Sequence, residues 1–348
     1  MAAPRPFAQR LPQVWLARGP LACALLPLAL VYGAFMACRR ALYRLGVLRA
    51  QVLTVPVIVV GNLVAGGAGK TPTTIAIVAM LRRHGYTPGI VSRGYGGSSD
   101  GPLEVTRAVP ARQCGDEPLL LHLRTGAPAV IGRDRVGAAL ELLRRHPAVD
   151  VVVSDDGLQH LALARDVQVI VFDERGAGNG WLLPAGPLRE PLPRALPARS
   201  LVVYNAAAAS TPLPGTLARR ALTGCVALAA WWRGEAASSA ALEALRGRPL
   251  LAAAGLARPA RFFEMLRARG LTIVPLPLAD HHDFAALPWP TDAPDVVLTE
   301  KDAVKLDPAR IGSRVWVAPL DFTLDAAFEA ALIALLAPPG PRHGNPPP

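Results

Sequence analysis

VPVIVVGNLVAGGAGKTP, residues 55–72, decides the fold. The apolar, mostly β-branched run Val55 to Val60 asks for a buried strand. It breaks into a glycine-rich loop carrying Gly61, Gly66, Gly67, Ala68 and Gly69, followed by Lys70, Thr71 and Pro72. Residues from Pro72 to His84 have helical character. Strand, glycine loop, Lys-Thr and helix is the order of a phosphate-binding loop. Glycines let backbone N–H groups converge on an anion, and the helix N-terminus adds partial positive charge. Lys70 is then placed for the β- and γ-phosphates of ATP and Thr71 for Mg²⁺. The strict spacing asks for glycine where this chain has Val64, so Gly66 and Gly67 must supply the flexibility.

The pattern continues outward from that loop. Pro88 to Ser92 reads as a strand opening into the loop Arg93-Gly94-Tyr95-Gly96-Gly97. Asp116-Glu117 heads a helix to about Arg124. Ala127–Gly132, Val149–Ser154, Val167–Phe172 and Leu201–Tyr204 are strands, with a helix over Arg135–His146. Alternating strands and helices predict a parallel sheet with helices on both faces. Ligands of such sheets bind beyond the carboxyl ends of the strands, where Lys70, Arg93, Asp116 and Asp155 fall. Residues 181–200 are proline-rich and irregular. A second series follows, with strands near Val226–Ala230, Pro249–Ala254, Leu271–Pro275, Asp295–Thr299 and Val315–Pro319 and helices over Ala260–Arg269 and Leu324–Leu336. The expected organisation is an N-terminal hydrophobic helical segment (1–50), a P-loop domain (51–205), a smaller α/β domain closing the active cleft (206–337) and a disordered proline-rich tail (338–348).

The chain has 348 residues, half of them hydrophobic, and a net charge of +11. Its arginines are scattered and only 5% of residues are aromatic, so a stacking platform for nucleic acid is not expected. The cysteines Cys23, Cys38, Cys114 and Cys225 have no metal or redox spacing, which suits a reducing compartment. Leu21 to Cys38 lacks charge and is followed by Arg39, Arg40, Arg44 and Arg49. That run is near the lower limit for a bilayer span, and a signal peptide would start earlier and need a small-residue cleavage site. With Ala41, Leu45 and Leu48 on one helical face and Arg40 and Arg44 on another, an interfacial helix is equally in keeping.

Several polar stretches admit two readings. Asp155-Asp156 behind an apolar strand and downstream of the glycine loop suits a metal or its water, ahead of a plain turn. Asp116-Glu117 on local sequence reads first as a helix N-terminus, where carboxylates are favoured, and only second as a catalytic group. Asp280-His281-His282-Asp283 suits a metal, a catalytic dyad or a solvated loop. Thr299-Glu300-Lys301-Asp302 either faces a cleft or caps a helix.

Taken together, VGNLVAGGAGKTP, VSRGYGG, GDEP, SDDGLQH, LLPAGPLREP, ADHHDF and LTEKDAVKL resemble the tetraacyldisaccharide 4′-kinase family, the lipid A 4′-kinases of Gram-negative bacteria. The resemblance covers about residues 50–320. It implies an ATP- and Mg²⁺-dependent kinase that phosphorylates the 4′-hydroxyl of tetraacyldisaccharide 1-phosphate to give lipid IVA, at the cytoplasmic face of the inner membrane and without an obligate protein partner. It further implies an Asp116–His281 catalytic pair. Gly66 to Pro72 would bind nucleotide, and Thr71, Asp155 and Asp156 the metal. Arg93, Tyr95, Glu117, Gln159, His160, Arg189 and Glu190 would line the cleft. The rival class is a membrane-attached regulatory P-loop ATPase, against which stands Ala65, where such proteins carry a signature lysine.

Overall fold

The computed structural model describes residues 13–222, 224–280, 282–290, 292–311 and 314–336. His281 and the tail from 338 onward lie outside the described residues. The chain divides into two compact units, neither continuous in sequence. The first runs to Val91, resumes from Asp134 to Ala218 and takes in the chain from Leu324 on; the second comprises Ser92–Arg133 and Arg219–Thr323.

In the first unit the Val57–Gly61 strand lies between the parallel strands Val151–Asp155 and Val167–Asp173. Pro88–Ser92 pairs beside Val151–Asp155, and Ser200–Asn205 beside Val167–Asp173, all parallel. The three central strands are buried at every residue, as strands covered on both faces must be. The Val60–Asp155 register puts that carboxylate level with the strand end that enters the glycine loop. The loop helix spans Lys70–Arg83, beginning two residues before Pro72. At its N-cap Gly69 has φ 98°, and a Cβ there would sit 2.0 Å from Asn205 Nδ2, so only glycine serves.

N-terminally, a helix over Leu26–Arg44 follows a short one over Pro20–Ala24. Among the described residues no helix is long and apolar enough to cross a membrane. One face of Leu26–Arg44 buries Ala29 and Met36, while Leu28, Val31 and Phe35, spaced by a helical turn, stay exposed.

The second unit has a five-stranded sheet in the order Val226–Ala227, Val315–Val317, Asp295–Leu298, Leu250–Ala254, Ile273–Pro277. Only the first pairing is antiparallel. The strand read over Val226–Ala230 stops at Ala227, and Leu228–Arg233 is helical, burying Leu228 and Trp231. Phe262, Phe263 and Leu266, on the Pro259–Ala268 helix, fill the core with Leu242, Leu250 and Val297.

Candidate active site

The glycine loop is held open from outside by its carbonyls. Asn62 donates Nδ2 to the carbonyls of Val64 (2.6 Å) and Gly66 (3.0 Å). Arg175 donates to Ala65 O (3.3 Å) and Gly67 O (3.2 Å), and Asn205 Nδ2 to Ala68 O (2.8 Å). With those carbonyls engaged, the peptide planes from Ala65 to Gly69 turn the N–H groups of Gly66, Gly67, Ala68 and Gly69 to the side opposite their bonded carbonyls, while Ala65 N–H is taken by Pro187 O. Asp173 fixes Arg175 through Nε at 2.8 Å. Asn62, Asp173 and Asn205 follow or end strands, a position that could have flagged them in the sequence. They and Arg175 were not singled out there.

Lys70 is buried, with Nζ 3.4 Å from Asn62 Oδ1 and 3.7 Å from Asp156 Oδ1. Asp155 accepts from Thr74 Oγ1 at 2.9 Å and is 1% exposed. Asp156 lies in the left-handed region at φ 50°, a conformation sparsely used outside glycine and often found where a side chain is aimed for function. Its Oδ1 also receives Arg189 Nη1 at 3.1 Å. The GPLREP segment is strapped to the loop by backbone bonds, Ala65 N to Pro187 O (2.8 Å) and Arg189 N to Leu63 O (2.7 Å). Gln159 joins the two motifs: it accepts from Arg189 (3.3 Å) and donates to Glu190 (3.0 Å). Helix Leu26–Arg44 ties into the same cluster. Arg40 meets Glu190 at 2.9 Å, Arg39 donates to Gln159 O at 2.9 Å, and Tyr32 donates to Arg189 O at 2.9 Å. Burial, with Glu190 second, raises the Tyr32 phenol above its ordinary value. His160 sits 3.9 Å from Asp134; burial first and Arg135 second push it down to about 4, so the imidazole is neutral.

A second cluster lies in the other unit, and here GDEP, SRGYGG, ADHHDF and LTEKDAVKL meet. Sequence order had grouped GDEP and SRGYGG with the phosphate loop; both belong instead with the segment that carries Asp280 and His282. The helix Asp116–Thr125 starts from Gly115 (φ 91°), where a Cβ would lie 2.6 Å from Tyr95 O, so the two loops touch through backbone. Arg93 and Tyr95 are exposed. No side-chain cap closes the helix start. Asp116 Oδ2 lies 3.2 Å from Lys305 Nζ. Lys301 Nζ bridges Glu117 (3.6 Å) and Asp280 (3.9 Å). Glu300 accepts from Arg124 and from Trp231 Nε1 (3.0 Å). Thr299 does cap its short helix, accepting from Asp302 N, so the TEKD stretch both caps and reaches GDEP. His282 Nδ1 accepts from Phe284 N at 3.1 Å, which commits that nitrogen to its own loop. Among the described residues no group of three or more His, Cys, Asp or Glu side chains is arranged to hold a metal ion. The Thr71 hydroxyl and the Asp155 and Asp156 carboxylates are oxygen groups of the kind that Mg²⁺ prefers beside phosphates.

A parallel sheet, a glycine loop with its carbonyls fixed, a buried lysine and strand-end aspartates define a P-loop nucleotide-binding protein of the α/β class. The family model described as tetraacyldisaccharide-1-P 4′-kinase matches residues 21–337, and the chain belongs to that family. It is 59% identical over 349 residues to a tetraacyldisaccharide 4′-kinase of Methylibium petroleiphilum, covering 98% of each chain. It is 55% identical to that of Leptothrix cholodnii, covering 95% of this chain and 96% of the other. The fold is similar to that of LpxK from Aquifex aeolicus, crystallised in complex with ATP: TM-score 0.76, 26% identity, 91% of this chain and 99% of that one. The chain is thus an enzyme, a kinase, and not the regulatory ATPase that was its rival reading.

Proposed function

We propose that the chain transfers the γ-phosphoryl group of ATP to the 4′-hydroxyl of tetraacyldisaccharide 1-phosphate, giving lipid IVA. The observation that carries this reading is the linked set Lys70, Asp156 and Arg189, which gathers the glycine loop, SDDGLQH and GPLREP into one phosphate-handling cluster. Lys70 and the backbone of Gly66 to Thr71 hold the β- and γ-phosphates. Thr71, Asp155 and Asp156 would hold Mg²⁺, which when bound offsets phosphate charge. Asp116 accepts the hydroxyl proton as the acceptor oxygen bonds to phosphorus and the bond to the β,γ-bridging oxygen breaks, releasing ADP. His281 is assigned the partner role to Asp116. Arg93, Tyr95, Glu117, Gln159, His160, Arg189 and Glu190 face substrate; exposed Arg93 suits its phosphate.

The acceptor is a lipid, and the exposed Leu28, Val31 and Phe35 beside basic Arg39, Arg40 and Arg44 suit a helix lying in the cytoplasmic face of the inner membrane. The test is label from [γ-³²P]ATP. Transfer to the 4′-oxygen of the lipid disaccharide supports the assignment; release only to water, with lipid present, contradicts it.

A further inference from the structure

The last motif, LTEKDAVKL, has as its penultimate residue a lysine that a soluble surface would leave in water. Here Lys305 has a side chain only 5% exposed. Its Nζ makes no hydrogen bond of good geometry, yet lies between two carboxylates: Asp116 Oδ2 at 3.2 Å and Asp302 Oδ1 at 3.8 Å. The ring of Phe284 stands 5.8 Å from the same ammonium. Phe284 itself is held at φ 55°, an uncommon conformation for so bulky a residue. A buried ammonium is tolerated only when paired, so the site has been built around it.

Each neighbour is itself anchored. Asp302, fully buried, accepts from Thr299 Oγ1 (2.6 Å) and Gly255 N (3.0 Å) through Oδ2, which leaves Oδ1 turned to Lys305. The order Thr299–Asp302–Lys305–Asp116 therefore runs from a helix cap to the carboxylate at the head of GDEP. We propose that Lys305 is a positioning residue for phosphoryl transfer: braced by Asp302, its ammonium fixes the Asp116 carboxylate in the place from which it takes the acceptor proton. What the contact supplies is direction, and small misplacements of a reacting group cost large factors in rate.

The inference rests on Asp116 being the base, and the experiment separates the two. Full-length Lys305→Met, Lys305→Arg, Asp116→Asn and the Lys305→Met/Asp116→Asn double variant are assayed with ATP and tetraacyldisaccharide 1-phosphate, alongside ATP affinity and melting temperature. Arg124→Gln, which breaks the Glu300 contact of the same helix without touching Asp116, reports a purely structural loss. Lys305→Met should lower kcat on the order of 10–100-fold, with ATP affinity within about twofold. Lys305→Arg should recover most of that loss. In the Asp116→Asn background the methionine should cost almost nothing more. Should Lys305→Met fail to fold, Lys305→Met/Asp302→Asn keeps the charge balance and takes its place. A fully active Lys305 variant beside an inactive Asp116→Asn enzyme overturns the positioning role alone. Multiplicative losses in the double variant, or an equal kcat loss in Arg124→Gln, overturn it too. A fully active Asp116→Asn enzyme overturns the base assignment and this role together.

Discussion

The two clusters are built from different material. Around Lys70 the ligand-facing surface is backbone: side chains of Asn62, Arg175 and Asn205 occupy carbonyls, and the loop presents what is left. Around Asp116 the surface is side chain on side chain: Lys305, Lys301 and Glu300 pair with Asp116, Glu117 and Arg124 along one helix. A backbone cradle suits a ligand whose shape and charge are constant, as a triphosphate's are. A site of paired side chains suits a group whose position must be fixed from more than one side.

If that contrast is right, lesions in the two clusters fail differently. The largest effect is expected from Lys70→Ala, a loss of about 10³-fold in turnover from a missing transition-state charge. Near-normal turnover at saturating ATP would sink the phosphate-loop assignment. Asp116→Ala comes next, with a loss of about 10²–10⁴-fold typical of a removed general base, while ATP affinity holds. Combined with His281→Ala it should be barely worse than the worse single variant, because residues acting as a unit are not additive. Arg175→Ala should act on the cradle alone. Freeing Ala65 and Gly67 carbonyls should weaken ATP binding by about tenfold, the scale of a charge-assisted hydrogen bond, and leave saturated kcat largely intact. A drop in kcat without a change in ATP affinity would show that Arg175 does more than hold the loop.

His160 gives a smaller effect with a definite sign. Its folded value, pushed down to about 4 by burial, lies below the ordinary value near 6.5. The unfolded chain therefore binds the extra proton, so stability from this group is fully present above pH of about 6.5 and is lost as pH falls toward about 4. Melting temperature of His160→Gln should fall less steeply across that window than that of the native chain; parallel curves would place the acid sensitivity elsewhere. Smallest of all on catalysis should be Leu28→Ser/Val31→Ser/Phe35→Ser. These side chains are exposed, so ATP affinity should persist while the protein moves from membrane pellet toward the soluble fraction. Unchanged partitioning would mean that another surface anchors it.

The strand, glycine loop and helix around Lys70 were legible in the sequence because their signals are local. A strand, spaced glycines and Lys-Thr fall within eighteen consecutive residues, and the apolar run before Asp155 placed it on a neighbouring strand. The props of the loop were not legible, since Asn205 and Arg175 lie far downstream and their roles depend on which strands are neighbours. The Asp116 cluster was less legible still. Each of its motifs admits a bland local reading, and only the fold shows that Lys305 ends beside Asp116. Grouping GDEP with the phosphate loop followed chain order, but the chain leaves the first unit at Val91 and returns at Asp134. Nothing in local periodicity marks such a detour. The helix Leu228–Arg233, whose first three residues fall in the stretch read as strand, shows the same limit: Leu-Ala-Ala-Trp-Trp is apolar enough for either state, and Trp231 is buried beside Glu300 in the helix.

The most direct test of the proposal that the glycine loop serves phosphate and Asp116 the proton is to measure two quantities on one variant. Asp116→Asn removes the basic oxygen while keeping size and hydrogen-bonding capacity. ATP dissociation constant and single-turnover transfer of γ-phosphate to tetraacyldisaccharide 1-phosphate are measured together. The account predicts an ATP affinity within about twofold of the native chain and transfer slowed by at least about 10²-fold. Native-like transfer, or an ATP affinity that collapses in step with the rate, would contradict it.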